Sequence, residues 1–318
     1  MATTATHNGP IVVLAGGLSH EREVSLRSGR RVAQALRDQG RQVIEADVNA
    51  ELVGLFETLD NPVAFPLLHG GVGEDGGLQQ VLELLHVRYV GSTPEASRRS
   101  FNKAVCAPLA AKAGIAIPKR AVLPHDMFRE LGAQHLIKAL GRHVGYPMMV
   151  KPAQSGSALG ASKVEVPAEV PQAMVAAFAY GDVAIVEEFI SGREMAAAVI
   201  EVGGAAQALP IVEIQPNSGV YDYTARYTAG ATRFIAPAEL DADVAAACAD
   251  MALAAHRELG LRHISRTDLI LRDDGTPVFI EVNSAPGMTE TSLVPLAVEA
   301  AGLDFGSICA QLVDAAAA

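Results

Sequence analysis

Short apolar runs alternate with longer amphipathic stretches along the chain, and this rhythm sets the first structural expectations. Residues 11–15 form an apolar run that ends in Gly16-Gly17. Residues 21–39 read as a helix, with Val24, Leu26, Val32 and Leu36 set among charged positions. Residues 42–46 and 63–68 are further strand candidates. A strand–helix–strand order implies a parallel sheet flanked by helices, with ligands beyond the C-terminal strand ends. Gly16-Gly17 and His69-Gly70-Gly71 both lie at such ends. A second unit begins near Gly91, with a helix over 102–113, a strand ending at 148–151, a Gly/Ser loop at 153–160 and a strand at 183–188. A third holds strand-like segments at 194–201 and 208–214, an irregular polar stretch at 215–230, a helix at 242–259, and strands at 264–271 and 278–283. The expected division is 1–91, 92–186 and 187–318.

Composition narrows the function. The 318 residues, half of them hydrophobic, suffice for two or three cored domains. A formal net charge of −11 argues against a nucleic-acid or anionic-membrane surface. No apolar run is long enough to span a bilayer, and the first ten residues lack the features of a signal peptide. Cys106, Cys248 and Cys309 show neither metal-ligand spacing nor a disulfide framework, which fits a reducing cytoplasm.

The chemistry concentrates between residues 264 and 283. Asp274-Gly275 between two apolar runs signals a hairpin. A two-residue turn there pairs Asp268 with Glu281 and Arg266 with Asn283, and residues two apart share a face. Two carboxylates facing each other among apolar neighbours require positive charge between them. Hard oxygen ligands with an amide beside them suit Mg²⁺; a salt-bridge cluster around Arg266 is the other reading. Lys151 ends a strand and leads into the loop at 153–160, whose backbone N–H groups can surround phosphate. That loop is not a Walker sequence, and no dinucleotide fingerprint occurs.

Six segments in order then carry a resemblance: GGLSHEREVSL, LLHGGVGEDGGLQ, VKPAQSGSALG, VYDYTARY, SRTDLIL and EVNSAPGMTETSLVP. Together they resemble the D-alanine–D-alanine ligases of the ATP-grasp superfamily over nearly the whole length. The resemblance implies a three-domain α/β ATP-grasp fold with an N-terminal parallel-sheet domain, and ATP between the central and C-terminal domains. It implies D-alanine as both substrates, two Mg²⁺ ions for which Mn²⁺ can substitute, a cytoplasmic homodimer, and a role in peptidoglycan precursor synthesis.

Carried onto this chain, the resemblance places Lys103 and Lys151 on the ATP phosphates, Glu187 and the Ile190 backbone on adenine, and Glu194 on the ribose. Asp268, Glu281 and Asn283 become the Mg²⁺ ligands, and Arg226 reaches the γ-phosphate from a mobile loop. Glu21 takes the ammonium of the first D-alanine, with His69 nearby. Ser157 and Tyr227 form a hydrogen-bonded triad with Glu21; Arg266 and the Gly287 N–H form an oxyanion site; Ser292 and Leu293 meet the second carboxylate. Blander readings stand beside these: Glu21 serving the helix dipole, His69 a packing residue, Ser292 an N-cap. Departures are Arg226 where the family usually has Lys, Ala158 in place of a common Ser, and Glu188-Phe189 where a Lys–aromatic pair often flanks the adenine.

Alternatives are a D-Ala–D-Ser or D-Ala–D-lactate ligase, another ATP-grasp amino-acid ligase, a non-catalytic nucleotide-binding regulator, and a transport-binding protein. Tyr227 argues against lactate, because family members making depsipeptides tend to carry Phe there. The intact set Arg266, Asp268, Glu281 and Asn283 argues against a regulator.

Overall fold

A computed structural model describes residues 6–228 and 230–318, with the side chains of Tyr223 and Tyr227 outside that description. Three sheets organise the chain. The first contains β1 (Ile11–Leu14), β2 (Val43–Ala46), β3 (Val63–Pro66) and β4 (Arg88–Tyr89), all parallel in the order β2-β1-β3-β4. Strand alternation divides β1 between two cores. Ile11 and Val13 pack with Val32 and Leu36 of the helix Arg22–Asp38, while Val12 and Leu14 pack with Phe56 and Leu82 on the other face.

That helix lies so close to β1 that Gly29 has no room for a side chain. A Cβ there would stand 2.5 Å from the Ala15 Cβ. Gly29→Ala is expected to destabilise the fold by about 1–2 kcal/mol, because overpacking outweighs the gain in helix propensity. A lower denaturant midpoint at unchanged m-value checks this; an unchanged or raised midpoint would show that the contact relaxes freely.

The second sheet contains β5 (Arg120–Pro124), β6 (Met148–Pro152), β7 (Ser162–Val164) and β8 (Val183–Glu188), antiparallel in the order β5-β8-β6-β7. The helices Ala133–His143 and Val170–Phe178 cover it through Leu140, Ala173 and Met174, which pack on Val150 and Val186 in a core of their own. The chain enters this body through residues 115–119 and leaves through 189–192. Glu188 N donates to Lys119 O at 2.9 Å, so the two crossings run side by side.

The third sheet contains β9 (Arg193–Val202), β10 (Ala205–Ala208), β11 (Val212–Pro216), β12 (Thr232–Ile235), β13 (Ile264–Leu271) and β14 (Pro277–Asn283). Its order is β12-β11-β9-β13-β14, with β10 also on β9. Central β9 is buried on both faces, which explains its unbroken apolar run. Ala196, Ala198 and Ile200 join the core shared with the first sheet and the C-terminal helix Phe305–Ala317. Met195, Ala197 and Val199 join a second core with the helices Lys103–Lys112 and Ala242–Glu258. The Arg41–Asp314 ion pair at 2.7 Å reinforces the union of the first and third sheets. No single helix among the described residues is long and apolar enough to cross a membrane.

Three details differ from the sequence reading. The segment 208–214 is not one strand: β10 stops at Ala208 and β11 begins at Val212. Pro210 lies in the gap, lacking the N–H a ladder needs. The stretch 215–230 is not irregular throughout. Gln215 and Pro216 finish β11, and Tyr223–Tyr227 is a helical turn whose cap is Asp222, accepting from Ala225 N at 2.8 Å. The third difference lies in the β13–β14 hairpin. Its turn holds three residues, since Arg272 N donates to Thr276 O and Leu271 pairs with Pro277. A bulge between Phe279 and Glu281 then restores the count, so Asp268 faces Glu281 and Arg266 faces Asn283 as expected.

Candidate active site

Two adjoining cavities lie where the three sheets converge. The larger, about 800 Å³, opens between the second and third sheets and is lined by Lys103, Lys151, Glu187, Ile190, Glu194 and Asp268, among others. The smaller, about 400 Å³, lies between the first and third sheets and is lined by Glu21, His69, Ser157, Arg266, Asn283, Gly287, Ser292 and Leu293. Ser155, Tyr221, Arg226 and Glu281 border both. The hairpin therefore puts its polar square at the junction.

Within the square each carboxylate has its own cation. Arg266 donates to Asp268 through Nε at 2.6 Å and Nη2 at 2.7 Å, and Asn283 Nδ2 adds a longer bond of 3.3 Å to the same carboxylate. Burial alone would lower the Arg266 pKa, but the Asp268 charge reverses this and keeps the guanidinium ionised. Glu281 Oε2 lies 3.1 Å from Lys103 Nζ. Burial opposes ionisation of Glu281, and the Lys103, Arg226 and Lys151 charges override it, holding the carboxyl well below the usual carboxylate range.

Lys103 opens the helix Lys103–Lys112, where a cation opposes the helix dipole, and only 9% of it is exposed. Glu281 and the Ser155 carbonyl, which accepts from Nζ at 2.7 Å, offset that cost. Lys151 forms an ion pair with Glu187 on neighbouring β8, and both are buried. Arg226 stacks 4.3 Å above the Tyr221 ring and donates to the Tyr221 carbonyl. The Tyr221 N–H in turn donates to Glu194 at 3.4 Å. Burial raises the Glu194 pKa.

On the smaller cavity, Glu21 holds the N-cap position of the helix Arg22–Asp38, yet its side chain makes no capping bond. Its carboxylate instead accepts from Ser157 Oγ, across the gap between the first and second sheets. Ser157 and Ala158 both adopt left-handed φ, +51° and +57°, which is strained backbone for residues with side chains. The third member expected with them, the Tyr227 side chain, lies outside the described residues.

His69 is 5% exposed and makes two bonds. Its Nδ1 donates to the Ala285 carbonyl at 3.2 Å, leaving Nε2 to accept from Ser28 Oγ at 3.2 Å. Ser28 Oγ accepts from Met288 N at 3.1 Å. Burial lowers the His69 pKa, so the ring is neutral and ties the 285–288 loop to the first sheet. In that loop, a Cβ on Gly287 would lie 2.9 Å from Ser292 Oγ, and Gly287 lines the cavity. Ser292 is the N-cap of the helix Leu293–Ala300, but its hydroxyl makes no capping bond. It accepts from Thr289 N at 3.0 Å and bonds the Thr289 hydroxyl at 2.8 Å.

Two residues that border these cavities escaped the sequence reading. Lys163 on β7 stands 4.4 Å above the Phe189 ring, so a Lys–aromatic pair flanks the larger cavity, with its lysine supplied by a different strand. Strand pairing was the missing signal. Glu74 is a buried carboxyl on the smaller cavity. It stands within the quoted LLHGGVGEDGGLQ segment, and its burial was not legible there.

The comparisons agree with this architecture. A family model described as D-ala D-ala ligase C-terminus matches residues 109–314, and one described as D-ala D-ala ligase N-terminus matches residues 49–92. The D-alanine–D-alanine ligase of Anaeromyxobacter dehalogenans (strain 2CP-C) is 39% identical over 307 residues, covering 96% of each chain. The crystal structure of the VanG D-Ala:D-Ser ligase from Enterococcus faecalis matches with a TM-score of 0.83 and 28% identity, over 96% of this chain and 99% of that one. The D-alanine–D-alanine ligase from Bacillus anthracis complexed with ATP matches with a TM-score of 0.80 and 25% identity, over 97% of both. Sequence and fold thus match relatives over almost the full length, and the chain belongs to the D-alanine–D-alanine ligase family.

Proposed function

We propose that this chain ligates two D-alanines to D-alanyl-D-alanine with cleavage of ATP to ADP and phosphate, for peptidoglycan precursor synthesis. The observation that carries the reading is the junction of two cavities at one charged hairpin, with Arg226 and Glu281 bordering both. One cavity takes ATP and the other the two amino acids. The phosphoryl group passes between them.

Lys103, Lys151 and Arg226 neutralise the phosphates, Glu187 and the Ile190 backbone hold adenine, and Glu194 holds the ribose. The donor set at the junction, two hard carboxylates facing each other with an amide beside them, fits Mg²⁺. Asp268, Glu281 and Asn283 would hold two such ions, which when bound neutralise charge on the phosphate oxygens. Phosphate oxygens and water would supply the remaining ligands.

Glu21 takes the ammonium of the first D-alanine, and the carboxylate of that D-alanine attacks the γ-phosphorus, breaking its bond to the β-phosphate oxygen so that ADP leaves and an acyl-phosphate forms. The second D-alanine lies with its carboxylate toward Ser292 and Leu293. After losing a proton, to Tyr227 through Ser157 or to the departing phosphate, its amine attacks the acyl carbon. Arg266 and the Gly287 N–H stabilise the resulting oxyanion before phosphate leaves. The 215–230 segment closes over the site and keeps water from the acyl-phosphate.

Purified protein with ATP, Mg²⁺ and D-alanine is expected to release phosphate and form D-Ala–D-Ala, identified by mass and chirality. L-alanine in place of D-alanine should give neither. Parallel reactions with added D-serine or D-lactate test acceptor choice. A mixed product exceeding D-Ala–D-Ala would move the assignment to that acceptor. No turnover with any D-amino acid would overturn the reading.

A further inference from the structure

One buried carboxyl in the amino-acid cavity has no task in the mechanism above. Glu74 follows the short helical turn Gly71–Gly73, just beyond the end of β3. It is 8% exposed, borders the smaller cavity, and accepts from the Gly70 N–H through Oε2 at 2.9 Å. Glu21 reaches the same glycine from another side. Its Oε2 lies 2.8 Å from the point a Gly70 Cβ would occupy, and Gly70 has φ of +70°. Two carboxyl groups from separate elements, both bordering one cavity, thus approach one glycine, and a side chain at that glycine would meet the Glu21 carboxylate.

The charged groups facing Glu74 are Glu21 from the start of the first helix, Lys103 from the helix Lys103–Lys112, and Glu281 from β14. Burial, then the Glu21 charge and more weakly that of Glu281, push the Glu74 carboxyl up to about 8, against the Gly70 N–H and Lys103. With no cation beside it, the group therefore carries its proton at neutral pH. A cation arriving beside it favours the ionised form.

We propose that Glu74 is a second acidic group for the ammonium of the first D-alanine, sharing that cation with Glu21. The proposal rests on the reading that Glu21 binds this ammonium. An ammonium has three N–H donors and can satisfy two carboxylates at once, as one carboxylate alone cannot use them all. The balance is simple: the ammonium binds, the Glu74 O–H ionises, and one proton leaves to solvent. No covalent bond to substrate is made or broken. A hydroxy acid in the first position brings no charge, so the Glu74 carboxyl gains no cation against which to ionise. Glu74 thereby makes the first subsite selective for an amine over a hydroxyl.

Glu74→Gln tests this, because glutamine keeps the size and an acceptor for the Gly70 N–H. In steady-state kinetics of the full enzyme, E74Q is expected to raise KM for the first D-alanine about tenfold or more, with KM for ATP and for the second D-alanine unchanged. Calorimetric titration of D-alanine at pH 7, in two buffers of different ionisation enthalpy, is expected to show proton release for the wild type and none for E74Q. Thermal melting should be unchanged, and Glu74→Asp should restore part of the affinity. An unchanged first KM with unchanged proton release overturns the proposal. So does a fall in melting temperature with all KM values raised together, which marks Glu74 as a support for the Gly70 turn only. If Glu21→Gln loses first-site affinity while E74Q does not, the assignment of Glu21 stands and that of Glu74 fails. If the wild type neither binds nor ligates D-alanine, the underlying reading fails first.

Discussion

Glu281→Gln lowers kcat at least about a hundredfold. Changing a group that merely supports a metal ligand already costs about 10–100-fold, and Glu281 is placed as a direct ligand. The same change takes the ionised partner from Lys103, 3.1 Å away and largely buried. Leaving a buried cation unpaired costs several kcal/mol in a dry interior; partial solvation here brings the expected stability loss to about 2 kcal/mol. Phosphate-release kinetics and denaturant unfolding on the same preparation separate the two effects. A stability loss with near-normal kcat would reduce Glu281 to a structural counter-ion of Lys103.

Arg266→Lys gives the second large effect, a fall in kcat of about 10²–10³-fold, the usual consequence of losing an oxyanion donor. In the proposed mechanism Arg266 has two duties that a lysine cannot combine. Its Nε and Nη2 are committed to Asp268 in a planar fork, and its remaining N–H groups are left for the oxyanion. A lysine offers a point charge and no second edge. The step affected is the second one. Exchange of isotope within ATP, driven by D-alanine alone, reports phosphorylation and should fall far less than peptide formation. An equal fall in both would place Arg266 with the phosphates instead.

Much of this site was legible because strand chemistry obeys a count of two. The pairing of Asp268 with Glu281 follows from the turn and the alternation, yet it emerged through two deviations that cancel. The turn has one residue more than the assumed pair, and the bulge at Ile280 takes up that residue. Phe279 and Val282, three apart, consequently enter the same core, which an unbroken strand would forbid. Such cancellation is invisible in sequence, since turn length and bulges depend on packing against neighbouring elements. Contacts between distant segments were equally hidden. Neither the ion pair of Lys151 with Glu187 nor the Lys163–Phe189 stack follows from local pattern, because each requires the order β5-β8-β6-β7. Glu74 was hidden because burial of a carboxyl in a Gly-rich turn is a property of what surrounds it. The motif-based assignments, by contrast, all fell on the walls of the two cavities wherever side chains are described.

The separate core of the second sheet has a mechanical meaning. The first and third sheets share one apolar core and behave as a single anvil, whereas the 120–188 body is a jaw joined to it by two adjacent crossings. Those crossings lie beside Glu188 and Pro147, at the hinge end of β6; the strand runs five residues, about 16 Å, away from them before the 153–160 loop begins. Glu21 and Ser157 meet beyond that far end, where Lys103 also holds the Ala153 and Ser155 carbonyls, so these bonds act well away from the crossings. With Glu21 as the proposed ammonium ligand, latch and amino-acid sensor are one carboxylate, and the state of the first subsite is felt where the jaw closes.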